Sequence, residues 1–194
     1  MTAALDALAP AVELLERSLA YTRTTLASVP SDPLRWAVPT PCAEWDLAAL
    51  LAHMNDALDA FNEASYGAVG LDLMRQPDVT IAGIQRKACA LLGAWSGSYP
   101  AVVWVGDAHL PGRLLAATAA LEITVHGWDV AQATGHPAAI PSALADDLLL
   151  FTAYVIAPED RGRRFAAPVP VDDPASSADR LLAVTGRDPA TAIR

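Results

Sequence analysis

One segment of this 194-residue chain is apolar along most of its length, yet it carries an acid and a base at helical spacing. It runs from Leu114 to Trp128, and Glu122 and His126 are its only ionisable side chains. Residues four apart lie on the same face of a helix, and a helix that is apolar on nearly every side is usually buried. Because an unpaired buried carboxylate is costly, Glu122 needs a partner, and a metal ion is one candidate.

Apolar residues recur at helical spacing in several other parts of the chain. The pattern predicts helices over 9–28, 46–65, 79–96, 113–134, 142–156 and 177–184. A proline-rich loop over 29–42 and a short extended piece over 101–105 separate some of them, and 157–173 is predicted to be irregular. We therefore predict one all-helical domain over residues 1–194.

Local signals mark the ends of several predicted helices. Asp46 and Ser142 are candidate N-caps, and Gly135 suits the position just after a helix end. Pro10 suits the first turn of the first helix, which Asp6 or the residues just after it would open.

The charge balance disfavours several classes of protein. The net charge of −9 repels phosphate backbones, so we expect no nucleic-acid partner. No stretch has the roughly 18 apolar residues of a spanning helix, and the N-terminus lacks a signal-peptide pattern. These features predict a cytoplasmic protein that does not enter a membrane. The basic cluster at 161–164 is either a solvated loop or a contact to an anionic substrate or a neighbouring subunit.

A second helical histidine, His53, could supply a third ligand beside Glu122 and His126. Two imidazoles and one carboxylate match catalytic zinc sites, which keep one open position, and they also match non-haem iron sites. Nickel and manganese remain alternatives. The competing interpretation is a plain Glu122–His126 hydrogen bond with His53 as an ordinary core residue.

Neighbouring polar residues have two readings each. Asp129 and Asp56 lie three residues after His126 and His53, so each carboxylate either orients its histidine or is simply solvated. Cys42 is a candidate thiolate ligand from the loop before the second helix.

The remaining cysteine and histidines are not candidate ligands, although His109 or His136 could swing near the mouth of a site. Cys89 is predicted to be a small core residue, and both cysteines should stay reduced. His109 and His136 are predicted to lie in exposed loops.

Two motifs resemble those of the mycothiol-dependent maleylpyruvate isomerase N-terminal domain family, in the DinB-like and YfiT-like metal-binding superfamily. The first is Pro39-Thr40-Pro41-Cys42-Ala43-Glu44-Trp45-Asp46, followed by Leu50 and His53. The second runs from Leu121 to Ala131, with Thr134-Gly135 behind it. The segments 165–171, 179–182 and 186–189 are similar to those of short actinobacterial members.

The resemblance implies a DinB-like four-helix bundle with extra short C-terminal helices and an irregular C-terminal extension. It also implies a divalent metal ion, commonly zinc, on His53, Glu122 and His126, and a thiol cofactor of the mycothiol type. The isomerase carries a further C-terminal domain for which a chain ending at Arg194 has no room. We therefore expect a related thiol-dependent transferase or isomerase rather than maleylpyruvate isomerisation.

The sequence is also compatible with two other functions. The first is a non-catalytic module that binds a metal or a small ligand, and the second is a structural protein without a metal. If the protein is an enzyme, its partner is a small-molecule substrate or thiol, and the ion activates the nucleophile. Asp129 or metal-bound water is then the available base. We expect a homodimer.

Overall fold

The computed structural model describes residues 11–70, 79–97, 99–162 and 164–190. These residues are mostly helical and include a small sheet. The helices are α1 (Ala11–Leu26), α2 (Leu47–Ala64), α3 (Ile81–Trp95), α4 (Gly112–Ala133), α5 (Ser142–Val155) and α6 (Ser177–Val184). The strands are β1 (Ala68–Val69), β2 (Val102–Val105) and β3 (Ala108–Pro111), and short 3-10 turns cover Pro33–Arg35 and Pro158–Asp160.

Helix α4 lies at the centre of the packing. It contacts α1, α2 and α5, while α2 and α3 pack together and α6 covers α5. One core cluster, with Leu50 and Trp95, fills the space between the first four helices. A second cluster, with Leu121 and Leu148, lies between α4 and the C-terminal helices. The predicted burial of the apolar segment is therefore confirmed, because both clusters use residues of α4.

Most predicted helix boundaries agree with the structure within one or two residues. Asp46 is the N-cap of α2, and its Oδ1 accepts a hydrogen bond from the Ala49 amide at 2.8 Å. Gly135 follows the C-cap of α4 with a φ of +70°, as predicted. The N-cap prediction for Ser142 is wrong, because Ser142 is the first helical residue and Pro141 precedes it. Asp6 and Pro10 lie outside the described residues.

The all-α prediction is corrected by a three-stranded sheet in the order β1-β2-β3. Strand β2 is parallel to β1 and antiparallel to β3. Gly106 and Asp107 form the two-residue loop of the β2–β3 hairpin, and Gly106 has a φ of +58°. Such loops need a left-handed residue, which glycine supplies at little steric cost. The loop predicted around His109 is therefore strand β3.

A helix that spans a bilayer needs about 20 predominantly apolar residues. Within the described ranges, no helix combines the length and the apolar character that crossing a membrane requires.

Candidate metal centre

Helices α2 and α4 bring three ligand-type side chains to one point. The Nε2 atom of His53 lies 2.7 Å from Oε1 of Glu122, and the Nε2 atom of His126 lies 3.1 Å from the same oxygen. The two imidazole rings are 4.9 Å apart between centroids. We call His53, Glu122 and His126 the triad. Its three donor atoms lie within 4.8 Å of one another.

The triad is partly open to solvent. The side chains of His53 and Glu122 are 34% and 23% exposed, whereas that of His126 is 8% exposed. A ligand or an ion can therefore reach the donor atoms of the triad without unfolding of the core. Two imidazole nitrogens and one carboxylate oxygen are a donor set that suits zinc and other divalent transition metals. The residues present thus fit a divalent cation.

Asp129 fixes the orientation of one triad imidazole. Its Oδ2 atom lies 2.9 Å from Nδ1 of His126, and its side chain is fully buried. Asp129 is therefore not a solvated carboxylate at the helix end. Because Nδ1 is engaged, the ring presents Nε2 to Glu122. A carboxylate on the far nitrogen of a histidine is the usual arrangement behind a metal-ligating imidazole.

The protonation of the triad follows from these contacts. Burial alone would raise the pKa of Glu122, but its attraction to His126 and its hydrogen bonds with both histidines lower it well below the usual value. Burial would lower the pKa of His126, but Glu122 and the hydrogen bond with Asp129 raise it well above the usual value. Without an ion these contacts favour the imidazolium form of His126, and a cation bound at Nε2 would replace the proton there.

Arg187 supplies the counter-charge that buried Asp129 requires. Its Nη2 atom donates to Oδ2 of Asp129 at 2.9 Å, and its Nε atom donates to Oδ1 at 3.3 Å. Burial would raise the pKa of Asp129, but Arg187 and His126 together lower it. Asp129 therefore stays charged, which keeps it available as an acceptor for His126.

Cys42 completes a second cluster that could hold a metal. Its thiol donates to Oδ2 of Asp129 at 3.3 Å, and Nη2 of Arg187 donates to its sulfur at 3.2 Å. Cys42, His126 and Asp129 also lie close enough together to share an ion. The guanidinium of Arg187 already supplies positive charge there, and it would repel a second cation. The triad is accordingly the better cation site of the two.

Asp56, His109 and His136 belong to neither cluster of possible metal ligands in the described part of the chain. Asp56 is half-buried and accepts a hydrogen bond from the Asn55 side chain at 3.3 Å. His109 is exposed on β3, with its ring 5.1 Å from that of Trp104. His136 is exposed after α4, as predicted.

Cys89 corrects a further prediction, because it is exposed on α3 and is not a core residue. It lies on the side of α3 that borders a cavity between the first four helices.

Two residues of the site were not assigned a role from the sequence. Trp45 precedes α2, and its ring lies 4.6 Å from that of His53 and 5.9 Å from that of His126. Arg187 follows α6 and is brought to Asp129 only by the folding of the C-terminal segment. A signal for Arg187 existed, since a buried Asp129 demands a nearby cation.

Comparison with known proteins adds a family. The family model described as "Mycothiol maleylpyruvate isomerase N-terminal domain" matches residues 15–131. This range includes all three triad residues and Asp129, while Arg187 lies beyond it.

Two uncharacterised proteins of Mycobacterium tuberculosis, from strains CDC 1551 and H37Rv, are similar to this chain. Each is 28% identical over 166 residues, which cover 84% of this chain and 89% of the relative. No solved structure gives a significant match.

Proposed function

Because the chain belongs to the mycothiol maleylpyruvate isomerase N-terminal domain family, we propose that it binds a divalent cation on His53, Glu122 and His126. Zinc is the first candidate, and nickel, iron and manganese are the alternatives. The observation that carries the proposal is the convergence of both Nε2 atoms on one oxygen of Glu122. Such an arrangement of unlike donors from two helices is how metal sites are built inside helical bundles.

We propose further that the site serves a thiol-dependent transferase or isomerase, with a low-molecular-weight thiol of the mycothiol type as cofactor. A bound cation would supply Lewis-acid activation, which favours the thiolate form of a thiol or the hydroxide form of water. The thiolate is the nucleophilic form of a thiol. The exposed sides of His53 and Glu122 give such a molecule access.

The surrounding residues would position the triad. Asp129 would hold the Nδ1 side of His126, and Arg187 would keep Asp129 ionised. Trp45 packs beside both imidazoles and would limit their rotation. Preorganised ligands lose less conformational freedom when an ion binds, so these contacts would strengthen the site.

Elemental analysis of the purified full chain tests the metal site. We expect about one zinc or other divalent ion per chain in the wild type, and a large loss in Glu122→Gln and His53→Ala. His109→Ala and His136→Ala are matched controls, because both histidines are exposed and contact Trp104 and the Thr134 carbonyl, respectively, which lie outside the triad. Equal metal content in Glu122→Gln and the wild type would refute the site.

A thiol assay on the zinc-loaded chain tests catalysis separately. We expect conjugation of a thiol to an electrophile, and its loss in His126→Ala. Stoichiometric metal without turnover for any thiol–electrophile pair would instead favour a non-catalytic module that binds metal or a small ligand.

Four other features belong to this proposal. We propose that α1 to α4 form the DinB-like four-helix bundle of the superfamily, since they pack around one shared core. Assembly as a homodimer, location in the cytoplasm and the absence of a nucleic-acid or membrane partner stay predictions from the sequence. Sedimentation of the purified chain would test the homodimer directly.

A further inference from the structure

An apolar cavity adjoins the triad. It has a volume of about 260 Å³ and lies between α1, α2, α3 and α4. Glu122 and His126 form part of its wall, and most of the remaining wall is aliphatic or aromatic, including Leu58, Phe61 and Ile84. A dry cavity of about 150 Å³ holds benzene in another protein. This cavity therefore has room for a ring or chain larger than benzene.

The positions of the wall residues link the cavity to the candidate ligands. Met54 follows His53 on α2, and Ile123 follows Glu122 on α4, and both line the cavity. A molecule whose headgroup reached the triad would thus extend its body along apolar side chains.

The charges of the wall restrict what that body can be. Among the described residues of the wall, the charged side chains outside the triad are Glu16 and Arg23, both exposed on α1. One carboxylate and one guanidinium give no net positive charge at the mouth. A ligand that carried a carboxylate in its body, in addition to its headgroup, would lose the hydration of that carboxylate against apolar side chains. This loss is costly when no cation pairs with the carboxylate.

We propose that the substrate of this site is a compound with one headgroup that donates an electron pair to the bound cation, and with an uncharged alkyl or aryl body. The headgroup meets the triad and the body fills the cavity, so small dicarboxylates are poor ligands. This inference rests on the proposed metal site for its headgroup, while the apolar body rests on the cavity alone.

A series of n-alkyl hydroxamic acids with three to eight carbons tests the proposal on the zinc-loaded full chain. Hydroxamates bind divalent metals, and isothermal titration calorimetry gives their dissociation constants. We expect affinity to rise about fourfold for each added methylene until the cavity is full. Replacing the terminal methyl of the longest chain with a carboxylate should weaken binding by at least about tenfold. Affinity that is independent of chain length, or undiminished by the terminal carboxylate, would overturn the proposal.

A pair of variants on α3 tests the location. Ala88 lines the cavity and is half-buried, whereas Ala90 is exposed on the same helix and is absent from the cavity wall. Ala88→Phe should fill the space and abolish the gain with chain length, and the matched control Ala90→Phe should retain it. Retention of the full gain in a folded Ala88→Phe would overturn this location.

Cys89 provides a measurement that needs no variant. It is exposed and lines the cavity, whereas Cys42 is half-buried between Asp129 and Arg187. Octanohydroxamic acid should slow alkylation of Cys89 by N-ethylmaleimide, as followed by peptide mass spectrometry. An unchanged rate at saturating ligand would contradict occupation of the cavity.

Failure of the metal site and failure of the cavity give different results. Metal content is measured on the same samples, and a series of n-alkanols is titrated into metal-free protein to probe the cavity alone. If metal is bound but affinity does not rise with chain length in either series, the apolar substrate class is overturned and the metal site is left intact. If no metal is bound but alkanol affinity rises with chain length, the metal site is overturned and the apolar body of the ligand is supported.

Discussion

Arg187 lies with Nη2 at 2.9 Å from Oδ2 of Asp129, and the two side chains are 9% and 0% exposed. This buried ion pair joins the segment after α6 to α4, one turn beyond His126. The guanidinium also donates to the Thr185 carbonyl at 2.9 Å. A buried charge that loses its partner is strongly destabilising, so the pair connects folding of the C-terminal segment to the site.

We expect Arg187→Met to lower the free energy of unfolding by about 3–5 kcal/mol, because the buried carboxyl group of Asp129 would lose the cation that offsets its desolvation. Urea denaturation of the metal-free chain measures the loss. Arg164→Met is the control, since Arg164 is 55% exposed in its ion pair with Asp160. Its removal should cost less than about 1 kcal/mol. Similar losses in both variants would show that the buried pair has no special role.

A second expectation concerns Gly127, where α4 approaches α1. A Cβ atom there would collide with Oγ1 of Thr22 and lie 3.1 Å from its Cβ. The Thr22 hydroxyl donates to the Ile123 carbonyl at 2.7 Å, so it cannot move away freely. Gly127→Ala should therefore destabilise the chain by about 1–3 kcal/mol, although alanine is the better helix former.

Gly93→Ala is the matched control for Gly127→Ala. Gly93 lies within α3, and in the described part of the chain no atom beyond its sequence neighbours and the local helix backbone lies within 4 Å of a Cβ placed there. The gain in helix propensity should raise its stability by up to about 1 kcal/mol. Opposite signs in thermal unfolding would confirm the close approach, and equal signs would contradict it.

The part of the site that sequence reasoning reached depends on helical periodicity. The spacing of Glu122 and His126 predicted that they share a face, and they are hydrogen-bonded at 3.1 Å. His53 comes from another helix, and the structure brings it to the same oxygen. That the three residues hold a metal stays a prediction.

The part that sequence reasoning missed depends on tertiary contact or on a short turn. No local pattern places Arg187 beside Asp129, because 58 positions separate them in the chain. The C-terminal ends of α4, α5 and α6 all lie between them. The β2–β3 hairpin had a readable signal in Gly106 and Asp107, a pair typical of two-residue loops. Cys89 was misplaced because periodicity predicts a buried face without saying which neighbours cover it.

A third expectation concerns pH and metal-free protein. The titrating group is the imidazole of His126. It faces Glu122, Asp129 and Cys42, and His53 lies on the other side of Glu122. Because its folded pKa is raised, its charge contributes stability that is fully present below about pH 6.5. That contribution is lost as the pH rises through the folded pKa. The free energy of unfolding should therefore fall on the alkaline side, as measured by urea denaturation from pH 6 to 9.

Substitution separates this effect from other titrations. His126→Gln should lack the alkaline decline, whereas His136→Gln should keep it, because His136 is exposed. An unchanged decline in His126→Gln would assign it to another group.

A final expectation concerns added metal. A ligand that binds only the folded state stabilises it by about 2.7 kcal/mol at a concentration 100 times its dissociation constant. For a chain of this size, that gain corresponds to a rise in melting temperature of about 5–11 °C. Zinc should give this rise in the wild type and in Glu13→Gln, whose glutamate is exposed on α1, and chelation should reverse it. Glu122→Gln should show little rise, because the triad then offers two imidazoles and no carboxylate. Equal rises in the two glutamine variants would place the bound zinc elsewhere.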